Sequence, residues 1–152
     1  MIDLTKIFKD RVRLHEGCVE IVYLDSLGKA TIGIGHLVQP HEKERYKEGV
    51  TLSQQEIDDL FDIDLNRAAA GAEELIGNLE LPQNIQHVLV EMVFQLGKTG
   101  VSKFKNMWKA LSEKNFVQAA VEMRDSQWRI QTPGRCESLA KIVENAWFFF
   151  LF

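Results

Sequence analysis

Residues 19–36 interrupt an otherwise helical rhythm, and that interruption limits the folds open to the chain. Ile21-Val22-Tyr23-Leu24 is β-branched and aromatic, and Asp25-Ser26-Leu27-Gly28-Lys29 is turn chemistry. Thr31-Ile32-Gly33-Ile34-Gly35 reads as a second strand thinned by two glycines. A hairpin is expected, with glycines where backbone or a ligand comes close. On either side the apolar residues follow helical spacing. Leu4, Ile7, Phe8, Arg11 and Val12 stripe a helix that ends before Gly17. Ser53-x-x-Glu56 is a capping box opening a helix that continues through Ile57, Leu60, Phe61, Leu65 and Leu75. Gly77 or Asn78 ends it; at roughly 24 residues it is about 36 Å long, enough to join two lobes. Its small, polar centre suits a helix crossing open space.

Four more stripes follow. Ile85, Val88, Leu89, Met92, Val93 and Leu96 form one, closed by Gly97. Val101, Phe104, Trp108 and Leu111 form the next, then Phe116, Ala119, Ala120 and Met123. The last, through Leu139, Ile142, Val143 and Ala146, starts from an N-cap at Thr132 and Pro133 in the first turn. Residues 39–50 read as a loop or short helix. The fold class is therefore α+β. A small N-terminal lobe (about 13–52) carries a β-hairpin or short antiparallel sheet. A long linking helix (about 53–77) leads to a larger all-helical lobe (about 78–152 plus 1–12).

The 152 residues suit one domain, and 18 basic against 22 acidic residues give a net charge of −4. That balance argues against nucleic acid as a partner. The longest apolar run, seven residues from Ala146 to Phe152, is too short to span a bilayer, so no stable membrane insertion is expected. Met1 to Lys6 lacks the apolar core of a signal peptide, so the chain is expected to stay where it is made. Cys18 and Cys136 make no disulfide scaffold and are expected as reduced thiols. No metal ligand set is apparent: His15-Glu16 lacks the zinc-protease partner, because position 19 is Val. No cofactor is expected either; Gly33-x-Gly35 is no dinucleotide fingerprint, because position 38 is Val.

Glu16 ends the first helix and Asp25 opens the hairpin turn. Two carboxylates on neighbouring elements can divide the labour of glycosidic hydrolysis. One is protonated to donate to the leaving oxygen; the other is ionised to steer water or stabilise positive charge.

The letters around them sharpen this. His15-Glu16-Gly17, Tyr23-x-Asp25-x-x-Gly28 and Thr31-Ile32-Gly33-Ile34-Gly35-His36 resemble the T-even phage-type lysozymes, glycoside hydrolase family 24. The resemblance continues through Met92 to Gly97, Thr99-Gly100-Val101, Ser126-x-Trp128 and Gln131-Thr132-Pro133-x-Arg135. It implies a lysozyme-like fold and a cofactor-free muramidase cutting the β-1,4 bond between N-acetylmuramic acid and N-acetylglucosamine in bacterial peptidoglycan. Carried over by position, Glu16 is the general acid, and Asp25 and Thr31 hold the attacking water with inversion. Leu37, Phe94, Gln95 and Glu20 would bind substrate. His36 and Arg135 would support the site, Arg135 by reaching across a cleft toward Glu16. Trp128 reads as core rather than as a sugar platform.

The family further implies a monomeric endolysin held in the host cytoplasm until lysis, whose partner is the glycan strand of the wall. Two alternatives remain: a lytic transglycosylase on the same bond, and a non-catalytic peptidoglycan-binding or virion domain. The chain departs from the family in its acidic balance, in the shorter stretch 37–50, and in the tail Phe148–Phe152, which is expected to pack on the large lobe or to mark an association surface.

Overall fold

The computed structural model describes residues 1–25 and 27–146. The tail Phe148–Phe152 lies outside them. The protein is α+β, as expected: a three-stranded antiparallel sheet near the N-terminus, with helices making up most of the rest. It divides into two compact units. One holds Thr5–Arg67; the other joins Met1–Leu4 to the chain from Ala68 onward. Residues 5–12, grouped with the helical lobe from sequence, fall in the unit that carries the sheet.

In that unit α1 (Lys6–Glu16) starts where the Thr5 hydroxyl accepts from the Phe8 N–H at 3.2 Å. It stops at Gly17, whose φ of +72° turns the chain out of the helix. Phe8 and Val12, one turn apart, are buried, but Ile7 is 84% exposed. The inward stripe is narrower than the sequence implied, because Ile7 lies about 100° round the helix from Phe8.

β1 (Val19–Leu24) and β2 (Ala30–Gly33) form the hairpin. Tyr23 faces Thr31 and Leu24 faces Ala30, with an irregularity in β1 between Val19 and Tyr23. The second strand ends at Gly33, not at Gly35. Gly33 and Gly35 both take positive φ and fold the chain back into β3 (His36–Leu37), a strand the sequence did not reveal. The outer edge of β1 is covered as well. Val22 donates to Val50 O at 2.8 Å, Gly49 to Val22 O at 2.9 Å, and Leu52 to Glu20 O at 2.8 Å. The loop predicted over 39–50 contains one short 3-10 turn, Pro40–Glu42.

α2 (Gln54–Ile76) matches its expected span. The capping box is half realised. Ser53 Oγ accepts from the Glu56 N–H at 3.2 Å, but the glutamate takes the serine hydroxyl at 3.4 Å instead of its backbone N–H. A Cβ on Gly33 would lie 3.1 Å from Ile57 Cγ2, so this glycine admits a helix side chain, not a ligand. In the centre of α2 Leu65, Ala68, Ala69 and Ala72 are all buried.

The second unit contains helices and no strand among its described residues. α3 (Gln83–Ser102) is broken at Gly97, whose φ of +79° is not helical, so the apolar helix closes there as expected. α4 (Lys105–Ser112) begins only after Phe104, so Val101 to Leu111 is not one helix. α5 (Phe116–Arg124), α6 (Gln127–Gln131) and α7 (Pro133–Asn145) complete the unit. Its core gathers Ile85, Leu89, Met92, Met107, Phe116 and Leu139, each almost wholly buried. Burying a side chain of this kind stabilises by about 1.5–3 kcal/mol. Cys18 is exposed and Cys136 buried, both as free thiols.

Candidate active site

Asp25 directly follows β1 and is held by the turn it opens. Its Oδ1 accepts from the Leu27 N–H at 2.9 Å and the Lys29 N–H at 2.8 Å. Its own N–H donates to Lys29 O at 2.8 Å. An aspartate that caps its own turn is the expected chemistry of such a sequence. Oδ2 accepts from none of the described residues, so one oxygen is anchored while the other keeps its lone pairs.

Thr31 sits in the middle strand, opposite Tyr23 on one side and Leu37 on the other. Directly opposed residues project from the same face, so an aromatic, a hydroxyl and an aliphatic chain form one row. Thr31 is 8% exposed, and its hydroxyl donates to Lys29 O at 3.2 Å. With that proton committed, the oxygen presents acceptor lone pairs. The main chain of Lys29 thus holds both groups: its N–H fixes the Asp25 carboxylate and its carbonyl orients the Thr31 hydroxyl.

Glu16, the last residue of α1, is half-buried in the same unit, three residues before β1. Leu37, 41% exposed, stands beside Thr31; Glu20 is an exposed residue of β1.

His36 is a structural tie. It is 4% exposed, with Nδ1 at 2.6 Å from Asp64 Oδ2 and Nε2 at 2.8 Å from Glu42 Oε2. Burial opposes its charged form, but the hydrogen bonds and charges of the two carboxylates prevail and raise its pKa above the ordinary histidine value. Glu42 shifts the other way. Burial resists the shift, but bonds from the Gln39 N–H and His36 bring it below the usual carboxylate range. The His36 ring therefore fastens β3 to α2 and to the turn Pro40–Glu42, and supports the sheet that carries Thr31.

Phe94, Gln95 and Arg135 belong to the helical unit. The Gln95 carbonyl accepts from Trp128 Nε1–H at 2.9 Å, and its amide donates to the Thr132 hydroxyl at 3.1 Å. One N–H of that amide is left for any other acceptor. Trp128 is 3% exposed and meets Phe104 edge to face at 6.2 Å, a core position as the sequence favoured. Arg135 is paired at 3.3 Å with Glu91, which is fully buried. Sequence reasoning missed Glu91; the available signal was a carboxylate set within the stripe Val88, Leu89, Met92, Val93. It also missed Asp64 and Glu42 as partners of His36. Among the described residues no cluster of three His, Cys, Asp or Glu side chains is placed to hold a metal ion, and no helix is long and apolar enough to cross a membrane.

Residues 13–142 match the model of the phage lysozyme family. The chain is 31% identical to a probable T4-type lysozyme 2 of Dictyostelium discoideum, over 90% of this chain and 93% of that one. It is 29% identical to the pre-baseplate central spike protein Gp5 of Enterobacteria phage T4, over 88% of this chain and 27% of the relative. It is 28% identical to a peptidoglycan hydrolase, gp36, of Pseudomonas phage phiKMV, over 78% of this chain and 13% of the relative.

Proposed function

The chain belongs to the phage lysozyme family and is a glycoside hydrolase, and from that premise we propose that it is a muramidase acting on bacterial peptidoglycan. It cuts the β-1,4 bond between N-acetylmuramic acid and N-acetylglucosamine. Glu16 protonates the leaving oxygen. Asp25, through Oδ2, takes one proton from a water molecule as it attacks, and Thr31 Oγ1 accepts a hydrogen bond from the other O–H, which stays on the product hydroxyl. The water attacks the anomeric carbon from the face opposite the departing oxygen, and configuration inverts. Leu37 and Glu20 contact the sugars beside it.

The observation that carries this reading is the double grip of the Lys29 main chain on Asp25 and Thr31. Two groups that must address one water are fixed to the main chain of one residue, so they are positioned before substrate arrives. This favours hydrolysis over a lytic transglycosylase, which needs no water-holding pair for bond cleavage. We place the enzyme as a monomeric endolysin that waits in the host cytoplasm and reaches the wall at lysis.

Glu16→Gln tests the assignment, since the amide cannot protonate the leaving group. The expected loss of wall-clearing rate is at least about 1,000-fold, with thermal unfolding unchanged. Clearing at the parental rate would reject Glu16 as the acid. Products with reducing ends are expected by mass spectrometry; 1,6-anhydro ends would reject hydrolysis.

A further inference from the structure

The described aromatic side chains, Tyr23 apart, are buried or half-buried. Phe61 and Phe116 fill the core, and Tyr46 is buried under the Arg45 guanidinium. Trp108 gives its indole N–H to Val101 O at 3.0 Å. Tyr23 is 40% exposed, and its hydroxyl makes no hydrogen bond among the described residues. A single exposed apolar residue is ordinary on a protein surface. The place of this one is what gives it meaning.

Tyr23 of β1 is directly opposite Thr31 of β2, so the two side chains project from one face, about 5 Å apart at their roots. The Asp25 N–H donates to Lys29 O at 2.8 Å and continues the same ladder. Asp25, two positions after Tyr23, therefore leaves the strand on that face as well. The phenol ring stands beside both groups assigned to the attacking water. On the far side of Thr31 is Leu37, also exposed. Two uncovered apolar surfaces thus flank a recessed hydroxyl.

We propose that Tyr23 is a substrate-binding residue whose ring stacks against the sugar at the bond being cut. The inference rests on the muramidase reading. A β-linked ring of glucose configuration carries its substituents equatorially, so its axial C–H bonds form an apolar face. The electron-rich face of the phenol ring is the complement of those polarised C–H bonds. The stack fixes the plane of the sugar and presents its anomeric carbon to the water held by Asp25 and Thr31. It also selects among sugars, because an axial hydroxyl would break the apolar face. Tyr23 therefore acts on affinity and ring choice, and takes no part in proton transfer.

The experiment uses soluble glycan strands freed of their peptides, with the parent, Tyr23→Val and Tyr23→Phe. Valine keeps a β-branched residue opposite Thr31 and removes the ring. In Tyr23→Val the KM is expected to rise about 10-fold with kcat within about 2-fold, the mark of binding lost equally from ground and transition states. Tyr23→Phe keeps the ring and should hold KM within about 2-fold of the parent. In Glu16→Gln, titrated with the same strands, the ring protons of Tyr23 should shift and show contacts to sugar C–H protons by NMR. An unmoved KM in Tyr23→Val overturns the proposal, as do strands that bind without shifting those protons. A fall in kcat alone would make Tyr23 a support for Thr31, and an equal rise of KM in Tyr23→Phe would assign the contact to the hydroxyl; either rejects stacking. A parent that leaves the strands uncut fails the muramidase reading, and the proposal falls with it; that result is told apart because it appears before any substitution is made.

Discussion

The sheet-bearing unit and the helical unit are held together by different means. In the first, the groups assigned to chemistry are fixed by main-chain bonds: Asp25 by the Leu27 and Lys29 amides, Thr31 by the Lys29 carbonyl. In the second, order comes from side chains. Apolar stripes fill the core, and the Arg135–Glu91 pair sits among them. Turn geometry sets positions finely with little buried surface, whereas helical packing supplies stability and tolerates change less well where a charge is buried. Substitutions in the two units should therefore separate stability from activity.

The largest stability effect is expected at Glu91. Glu91→Ala removes a buried carboxylate that lies 3.3 Å from the Arg135 guanidinium, whose side chain is 9% exposed. Breaking a buried pair costs about 3–5 kcal/mol, which should lower the melting temperature by about 10 °C. A calorimetric shift of only a degree or two would mean that this pair does not organise the helical unit. Thr31→Val should give the converse: a rate loss of about 100-fold for a displaced water, with about 1 kcal/mol or less of stability lost with its hydrogen bond. Comparable losses of stability at both positions would erase the contrast.

His36→Gln probes a side-chain tie inside the sheet-bearing unit. The raised pKa of His36 means that its contribution is complete below pH 6.5 and is lost as pH rises through the raised value. The lowered pKa of Glu42 means that its share is complete above pH 4.5 and is lost as pH falls through the lowered value. Parent and variant should thus differ most between those limits, by about 2 kcal/mol for bonds to charged groups. Urea midpoints measured from pH 5 to pH 10 should converge on the alkaline side; parallel curves would show that the imidazolium does not matter. The smallest effect belongs to Ile7→Ser. An apolar residue 84% exposed should change stability by no more than about 0.5 kcal/mol, and a larger loss would show that α1 buries a broader face than Phe8 and Val12.

Much of this was legible in the residues. The switch from helical spacing to the Ile21–Leu24 run marked the hairpin, and Gly17, Gly77 and Gly97 marked helix ends, because each signal is local. The third strand was hidden because two residues are too few to show alternation. Ile7 misled because an apolar letter at helical spacing does not report which arc of the helix meets the core. The partners of His36 lie 6 and 28 residues away, and Glu91 lies in a different helix from Arg135. Pairings of that kind depend on how elements dock, which no local window contains. Glu16, Asp25 and Thr31 were picked out by motif; the role of the Lys29 main chain was not, since every residue has an amide and a carbonyl.

The borrowed strip from Gly49 to Leu52 along β1 has a consequence for the protein at high concentration. A bare strand edge invites the next molecule to extend the ladder, and stacks grow from such invitations. Here that docking line is already occupied by the chain's own backbone, and the opposite border is only two residues long. The sheet is closed to recruitment, so the enzyme can accumulate in quantity without strand-by-strand polymerisation.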